Sequence, residues 1–376
     1  MKIEIYSPTI RRKEMDAVLT AMVEEKIGPG DRGRLLIQTA KEHLHFDYAL
    51  ALRSPAVALH TALKALEAKQ GQAVIISALS PQYYLQVLND LHLQPLFCDV
   101  TFDFPCMTKE LIENTLAKKP SDLNVCAIVL HHTLGFVPNA QAVCELGLPV
   151  IEDISQSYGS WFKNDAKKDK QESAENKNEK EEPVVNIYGL FCILGLEERD
   201  MLTSGGGALL FAMNRKDSAA LRNFTGIANE FCLPDINSAL AIVQFKEAQR
   251  NIERRQDIAK VYQQACLSLA ARTKHKRFIS VSGQNSETAA SEGCNEYCNY
   301  SFSLVLETGL KDVIAYAKKK EIEIENAFEN TIAGLGLCDD CPVSSSLCLR
   351  TVLFPMYPRL RSVDVERVSR LIMTLP

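Results

Sequence analysis

The sequence predicts an α/β protein with a mainly parallel sheet that is covered on both faces by helices. In the first half of the chain, short apolar runs alternate with segments whose apolar residues recur at helical spacing. Runs that are apolar throughout are typical of parallel strands buried on both faces. After about residue 300 the strands and helices mix, which predicts a smaller α+β part. The apolar runs are AVIIS (73–77), PLFCDV (95–100), VCAIVLHH (125–132) and LPVIED (148–153).

The residues before these runs predict two helices, a short strand and a third helix. Residues 14–27 have the spacing of an amphipathic helix, and the IGPGDRG that overlaps their end is typical of a turn. Residues 32–45 predict the second helix and 47–52 a short buried strand. The third helix begins after Ser54, a suitable N-cap residue. Because such sheets bind ligands at the carboxyl ends of their strands, a site is expected near Ser54 and Asp153.

The later part of the chain predicts an insertion, a return of the sheet and a small second domain. Residues 163–182 contain six lysines and seven acidic residues without a large apolar one, which is typical of a disordered charged surface insertion. The remaining predicted elements are strands in VVNIYGLFCIL and GGALLFA, a long helix from Pro234 to Leu269, a strand at 300–307, and helices at 311–320 and 363–374. We therefore expect a large domain over 1–250 and a small α+β domain over 251–376.

Composition and charge exclude several functional classes. The 376 residues are 46% hydrophobic and 24% charged, as in ordinary soluble proteins. A net charge of −5 gives no reason to expect nucleic acid or an anionic membrane as a partner. No apolar run approaches the roughly 18 residues of a membrane helix, and the first residues lack the apolar core of a signal peptide. We expect a cytoplasmic protein.

The twelve cysteines are spread along the chain and are expected to be free thiols. Cys294, Cys298, Cys338 and Cys341 are the one group that could bind zinc. The first spacing is loose and the second pair lies in a loop before a proline. No metal site is therefore expected.

Seven stretches resemble, in order, the motifs of one protein family. They are EMDAVLTAMVEEKIGPGDRG, ALALRSPAVALHTALKAL, HHTLGFVPNAQAV, VIEDISQSYGS, TSGGGALL, LPDINSALAIVQFKEAQRNIERRQDIAKVY and LFPMYPRLRSVDVERV. Through them the chain resembles the DegT/StrS-type sugar aminotransferases from about residue 3 to its end. The resemblance implies the aspartate aminotransferase fold (fold type I), pyridoxal 5'-phosphate (PLP) as cofactor, and a lineage of nucleotide-sugar and surface polysaccharide biosynthesis. It also implies a site built across two chains, and hence a homodimer or heterodimer.

The resemblance assigns four residues to the cofactor site. Asp153 matches the aspartate that pairs with the protonated pyridine nitrogen of PLP, an interaction that lets the ring act as an electron sink. Gln156 matches a glutamine beside the ring. Ser54 and Ala56 lie where the family has the Ser-Gly-Thr loop that binds the phosphate.

The family's Schiff-base lysine has no counterpart in this chain. Its position falls between Leu196 and Arg199, and no lysine occurs from Glu181 to Arg215. A lysine is needed there because its amine forms the covalent link to the cofactor. The guanidinium of Arg199 stays protonated and cannot form an aldimine.

The phosphate contacts implied by the family are also altered. Pro55 removes a backbone N–H from the phosphate loop, and Ala56 provides no hydroxyl. The family's phosphate-binding serine is Phe191 here. Glu230 lies in the motif that the second chain contributes and would place a negative charge beside a phosphate.

These departures favour a catalytically degenerate member without assigned catalytic residues. Such a protein would bind a sugar nucleotide or another small ligand, or pair with an active relative. One alternative is an active PLP or pyridoxamine-phosphate enzyme of altered chemistry; the family branch that uses histidine is disfavoured because no histidine lies between His132 and His275. Another is ordinary sugar transamination by a lysine placed elsewhere, such as Lys177 or Lys180. Whether the chain is an enzyme therefore stays open.

Overall fold

The computed structural model describes residues 2–160, 187–224, 227–270, 272–278, 297–307 and 309–376. The expected insertion at 163–182 lies outside these residues. In chain order the helices and strands are α1 (Arg12–Val23), α2 (Asp31–Leu44), β1 (Tyr48–Leu52), α3 (Pro55–Ala65), β2 (Ala73–Ser77), α4 (Tyr83–Asp90), β3 (Gln94–Cys98), α5 (Lys109–Lys118), β4 (Val125–His131), α6 (Ala140–Cys144), β5 (Val150–Asp153), β6 (Phe191–Gly195), β7 (Ala208–Ala212), α7 (Arg215–Asn223), α8 (Asp235–Ala270), β8 (Phe302–Val305), α9 (Leu310–Lys319), β9 (Glu325–Asn326), α10 (Pro342–Cys348), β10 (Thr351–Phe354) and α11 (Ser362–Met373).

The first seven strands form one sheet in the order β1-β7-β6-β5-β4-β2-β3. All neighbouring pairs are parallel except the two that involve β7, which is antiparallel to both β1 and β6. The other six strands therefore end at one edge. His131 and Asp153 are register partners at that edge, where β4 and β5 end. The predicted α/β class with a mainly parallel sheet is confirmed.

Helices bury both faces of this sheet. On one face, Leu59 and Leu63 of α3 pack with Val74 and Ile76 of β2. On the other face, α2 and α8 contribute Leu36 and Phe245 to a core that also contains strand residues of β6 and β7. A buried strand residue thus meets apolar partners above and below, which explains the uninterrupted apolar runs.

The last three strands form a separate sheet in the order β8-β10-β9, with antiparallel pairs. Its core joins Phe302 of β8 and Val352 of β10 to Val368 of α11 and Tyr262 of α8. The helix α8 therefore contributes its first half to the core of the large sheet and its second half to that of the small one.

The sequence located most elements to within a few residues. The long helix was predicted at 234–269 and spans Asp235–Ala270. The first helix differs from its predicted range of 14–27, since α1 spans Arg12–Val23. Glu25, just beyond its end, has a left-handed φ of 57°, which does not continue a helix. Among the residues that the structure describes, none of the helices combines the length and the hydropathy required to cross a membrane.

Candidate functional site

Asp153, at the carboxyl end of β5, has a carboxylate whose two oxygens already accept four hydrogen bonds. Its Oδ2 accepts one from the Tyr84 hydroxyl at 2.7 Å and one from the Tyr83 hydroxyl at 3.0 Å. Its Oδ1 accepts from the backbone N–H of Ser155 at 3.1 Å and from the Ser155 hydroxyl at 2.5 Å. Asp153 is only 1% exposed. A further donor could approach only by displacing one of these groups.

The two tyrosines lie in the first turn of α4, the next helix after β2. Their rings meet edge to face at 4.9 Å, and the Tyr84 ring meets His131 edge to face at 6.2 Å. Burial, followed by the charge of Asp153, raises the pKa of both tyrosine hydroxyls well above its ordinary value. Both therefore act as hydrogen-bond donors to the carboxylate.

Burial alone would raise the pKa of Asp153, but its neighbours reverse that effect. Among these neighbours His131, whose Nδ1 lies 3.7 Å from Oδ2, has the largest opposing influence. Ser155 and Tyr84 act in the same direction. The pKa of Asp153 is held below its usual range, so the group is a carboxylate at neutral pH.

A second carboxyl group, that of the half-buried Asp200, lies near the first. Its Oδ2 accepts a hydrogen bond from the backbone N–H of Glu197 at 2.8 Å. Gly195 lies so close that a Cβ there would come within 2.3 Å of this oxygen, so only glycine leaves room for the carboxyl. The N–H of Gly195 donates to the Ser155 hydroxyl at 2.8 Å, which links the surroundings of Asp200 to Asp153.

Asp200 differs from Asp153 in its protonation. Burial raises its pKa to about 8; the backbone hydrogen bond from Glu197 opposes this, and the charges of Asp153 and Glu197 add to it. Sequence analysis missed this residue. The only available signal was its position, a few residues past the end of a buried strand.

The helix start at Ser54 has its hydroxyl already engaged. The Ser54 Oγ accepts a hydrogen bond from the backbone N–H of Val57 at 3.2 Å. Ser54 is therefore the N-cap of α3, as predicted. Pro55 is the first residue of α3 and has no N–H, and Ala56 follows without a polar side chain. Neither Ser54 nor Ala56 is hydrogen-bonded to Asp153 or Gln156 in the described part of the chain.

Gln156 holds a backbone turn. Its Oε1 accepts a hydrogen bond from the N–H of Leu134 at 2.7 Å, within the turn Thr133–Gly135 that follows β4. Leu134 has a left-handed φ of 55° there. The amide of Gln156 therefore stabilises a strained residue next to the strand end.

His132, which follows the end of β4, belongs to a separate buried group. Its Nδ1 lies 2.8 Å from the hydroxyl of Ser157, and its Nε2 lies 3.3 Å from Oε2 of Glu152. The other oxygen of Glu152 accepts from the N–H groups of Tyr188 and Gly189 at 2.7 and 2.5 Å. The histidine thus joins the residues that follow β4 and β5 through Ser157, and Glu152 joins β5 to the segment before β6, which is a structural arrangement.

Arg199 lies at a cleft between the large sheet and the small one. Its Nη1 is 2.7 Å from Oε1 of Glu325, and its guanidinium lies 5.7 Å from the centre of the Tyr6 ring. Burial raises the pKa of Tyr6 to about 12. The polar residues that line the cleft are Tyr6, Arg199, Arg255, Tyr300, Ser301 and Glu325.

Arg255, midway along α8, is buried on the floor of this cleft. Its Nη1 donates to the carbonyl oxygens of Met356 at 2.7 Å, Tyr300 at 2.8 Å and Asn299 at 3.3 Å. The guanidinium therefore joins the long helix to the segment before β8 and to the segment after β10. In contrast to Arg199, it has no carboxylate partner among these contacts.

The residues present do not fit a PLP held in the family's manner. The four donors to Asp153 take up the oxygens that a pyridine nitrogen would need, and the Ser54 hydroxyl is used as a cap. Phe191, in the place of the family's serine, is fully buried in the sheet core. None of the groups that contact Asp153 or Asp200 in the described residues is a lysine.

The described residues contain no group of three or more histidine, cysteine or acidic side chains arranged to hold a metal ion. Of the cysteines considered for zinc, Cys298 is buried against Gln156, whereas Cys341 lies next to Cys338. Cys294 lies outside the described residues.

Comparison with known proteins gives a consistent family and fold. The model of the DegT/DnrJ/EryC1/StrS aminotransferase family matches residues 8–172 and 209–373. The chain is similar to the aminotransferase TlmJ from Streptoalloteichus hindustanus, with a TM-score of 0.79, 16% identity and coverage of 99% of this chain and 98% of that one. It is also similar to Helicobacter pylori PseC, an aminotransferase involved in the biosynthesis of pseudoaminic acid, with a TM-score of 0.74, 16% identity and coverage of 99% and 98%.

A further similar structure is Spr1654 from Streptococcus pneumoniae in its PLP form. The TM-score is 0.78 at 16% identity, and each chain is covered in full. At such low identity these structures establish the shared fold, and the matched motifs establish the family.

Proposed function

Because this chain belongs to the DegT/DnrJ/EryC1/StrS aminotransferase family, we propose that it is a member that has lost transamination and acts as a ligand-binding or partner subunit. The family is one of PLP-dependent sugar aminotransferases, and nucleotide-sugar biosynthesis is its setting. The proposal places the protein in the cytoplasm within that lineage.

The saturated carboxylate of Asp153 is the observation that supports this proposal most directly. In the family, the aspartate at this position must offer an oxygen to the protonated ring nitrogen, because that contact makes the ring an electron sink. Here Tyr83 and Tyr84 donate to one oxygen and Ser155 to the other. Breaking one of these bonds would leave a buried polar group without a partner, at a cost of about 1–3 kcal/mol.

The phosphate loop and the missing lysine support the same conclusion independently. An anion at a helix start is bound by free backbone N–H groups, and here Pro55 has none while the N–H of Val57 bonds to Ser54. The ionisable residues of the segment between β6 and β7 are Glu197, Glu198, Arg199 and Asp200, and none of them is a lysine. The described residues thus lack both the loop that binds the phosphate of PLP in the family and the lysine that binds its aldehyde.

The cleft beside Arg199 is the place we propose for a small ligand. Arg199 is a donor on its wall, and the buried hydroxyl of Ser301 has no hydrogen-bond partner in the described part of the chain, whereas the Tyr6 hydroxyl already donates to the carbonyl oxygen of Glu198. Such groups suit the hydroxyl and phosphate oxygens of a sugar nucleotide. As a partner subunit, the chain would form a homodimer or a heterodimer with an active relative.

A PLP titration of the purified protein tests the loss of transamination. We expect no absorbance band near 410–430 nm on adding PLP, and no lysine peptide labelled after borohydride reduction, because no lysine is placed to form an aldimine. Spr1654, which is known in a PLP form, serves as the positive control.

A reducible band trapped on one lysine would overturn the proposal and favour an active enzyme, and peptide mapping would identify that lysine. A second arm adds nucleoside diphosphate sugars to the same protein and follows its melting temperature. A shift that Arg199→Ala abolishes would support the cleft as the ligand site, whereas the absence of any shift would leave only the partner role.

A further inference from the structure

Three arginine side chains join the start of α1, the middle of α8 and the turn before α11. Each donates to a neutral oxygen of the next segment: Arg11 to Oδ1 of Asn251 at 3.0 Å, Arg254 to the carbonyl of Leu360 at 2.9 Å, and Arg359 to the carbonyl of Ile10 at 2.8 Å. Within each segment, the donor and the acceptor are neighbours in the chain or lie one helical turn apart. The three contacts therefore close a ring, and we call these three side chains the arginine ring.

None of the three guanidinium groups has a carboxylate partner among the residues that the structure describes. A guanidinium has five N–H donors and is always charged, so one hydrogen bond to a neutral oxygen leaves most of its binding capacity unused. The acidic residues in the first turns of α1 and α11 are already used elsewhere. Asp364 pairs with Arg361 and Arg367, and Glu14 accepts from Gln244 and from the backbone N–H of the N-cap residue of α1.

The starts of two helices lie at the same junction. The N-cap residues of α1 and α11 are Arg11 and Arg361, and neither side chain caps its helix, because a guanidinium has no acceptor atom. Arg359 lies two residues before the second N-cap and binds Ile10, the residue just before the first one, so the two starts are adjacent. The backbone N–H groups of a helix start favour a nearby anion and disfavour a cation. The helix starts and the arginine ring thus both favour an anion here.

We propose that the arginine ring binds the phosphoryl group of a small anion, with inorganic phosphate and pyrophosphate as its simplest ligands. The planar fork of a guanidinium donates two hydrogen bonds to such a group at once, which gives the strongest contacts of this kind. Arg359 is exposed and the other two arginines are only partly buried, so a ligand can reach them from solvent.

The arginine ring is separate from the cleft beside Arg199. None of its three side chains lines that cleft. The inference therefore goes beyond the proposed function and does not depend on it. Because three cations attract a higher charge more strongly, pyrophosphate is expected to bind more tightly than phosphate.

Isothermal titration calorimetry of the full-length protein with sodium pyrophosphate at low ionic strength tests the site. We expect one ligand per chain, with a dissociation constant below about 1 mM. Arg359→Gln is expected to weaken binding about tenfold, because glutamine keeps an N–H donor for the carbonyl of Ile10 but has no charge for the ligand. Arg11→Gln should weaken binding to a similar extent from a different segment.

The matched control is Arg370→Gln, near the far end of α11. The side chain of Arg370 is 73% exposed and lies 3.6 Å from that of Glu366. This variant is expected to change the dissociation constant less than about twofold. Circular dichroism and the melting temperature of each variant without ligand show that it is folded before its binding is compared.

A wild-type protein that does not bind pyrophosphate below about 10 mM would overturn the proposal. An equal loss in Arg370→Gln would also overturn it, because general charge attraction rather than a site would then hold the ligand. A loss in Arg199→Ala that Arg359→Gln does not share would place the anion in the cleft instead. None of these outcomes depends on PLP, so this test and the PLP titration fail independently.

A second titration with a nucleoside diphosphate distinguishes the two sources of the phosphoryl group. Binding about tenfold tighter than that of pyrophosphate, and still weakened by Arg359→Gln, would support an organic ligand at the arginine ring. Binding no tighter than that of pyrophosphate would support the inorganic anion.

Discussion

At the end of β5, Asp153 is ionised where water does not reach it, and only neighbouring groups stabilise its charge. The two tyrosines that donate to it are adjacent in the chain, so one helix start supplies half of its hydrogen bonds. The Ser155 N–H and hydroxyl supply the other half from two residues further along. A carboxylate with all these hydrogen bonds has a structural role, whether or not it takes part in a reaction.

Tyr84→Phe is expected to reduce the free energy of unfolding by about 1–3 kcal/mol, because it removes a donor from a buried carboxylate. The pKa of Asp153 is lowered in the folded protein, so its stabilising effect is complete above its unfolded pKa of about 4 and is lost as the pH falls towards the folded value. The difference between the variant and the wild type should therefore be constant from pH 6 to 8 and shrink below about pH 4.

Urea unfolding at a series of pH values measures this difference. Tyr316→Phe is the control, since its hydroxyl donates to Thr374 at 3.0 Å on the surface. Equal effects of the two substitutions at neutral pH would show that the Tyr84 hydroxyl contributes no more than a solvated one.

Asp200 should make stability depend on pH in the opposite sense. Its folded pKa of about 8 is higher than its unfolded value, so the folded chain binds the extra proton between about pH 4 and pH 8. Stability therefore falls as the pH rises through that range. Asp200→Asn removes the ionisation but keeps an oxygen that can accept from the N–H of Glu197.

We expect the stability of Asp200→Asn relative to the wild type to be greater at pH 8 than at pH 5 by at least about 1 kcal/mol. Urea unfolding midpoints at these two pH values give the comparison, with the exposed Asp122→Asn as control. The same relative stability at both pH values would contradict a neutral Asp200 in the folded protein.

At the scale of elements, the start of α3 has the role of a helix cap. Ser54→Ala is expected to cost about 1 kcal/mol of stability by removing the acceptor of the Val57 N–H. Thr108→Ala is the matched comparison, because Thr108 caps α5 through the N–H of Leu111 at 3.4 Å. Thermal unfolding with and without inorganic phosphate measures both.

If Ser54→Ala abolished a stabilisation by phosphate that Thr108→Ala retained, the hydroxyl would be an anion ligand, contrary to this prediction. The cap itself was predictable from sequence. A serine before a proline and an alanine-rich apolar segment is a strong local signal, and local signals need no knowledge of the neighbours.

The sequence predicts best those elements whose apolar residues recur with one dominant spacing. The buried strands β2, β4 and β5 and the helix α8 fall close to the predicted ranges. The two-residue β9 has no period, and it exists only because β10 pairs with it. The outward face of α1 was equally hidden, since its spacing predicts a helix but does not say which side faces the core.

The site itself was predictable in position but not in its contacts. Asp153 and Ser54 follow strand ends, and the topology brings strand ends to one edge of the sheet. That Tyr83 and Tyr84 both reach Asp153 depends on the packing of α4, which lies about seventy residues away in the chain. Asp200 fits only because Gly195 lacks a side chain, a relation that no pattern displays.

At the scale of the whole molecule, the division into residues 1–250 and 251–376 remains a proposal. Along α8, Ile252 packs in the core of the large sheet, whereas Ile258 packs in the core of the small one. The helix itself continues without a break from Asp235 to Ala270. We propose that the boundary lies near these two residues of the helix.

The continuous helix also sets the spacing of the cleft. One end of the 36-residue helix α8 packs in the core of the large sheet and the other end in the core of the small one. Near its middle, Arg255 donates to the carbonyl oxygens of Tyr300 and Met356. A hinge needs a few residues that can change their backbone angles freely, and here those positions are hydrogen-bonded helix. The helix thus fixes the distance between the two walls of the cleft, which the Arg199–Glu325 ion pair joins at 2.7 Å. We therefore expect the proposed ligand to meet an opening of constant width and to be selected by its size.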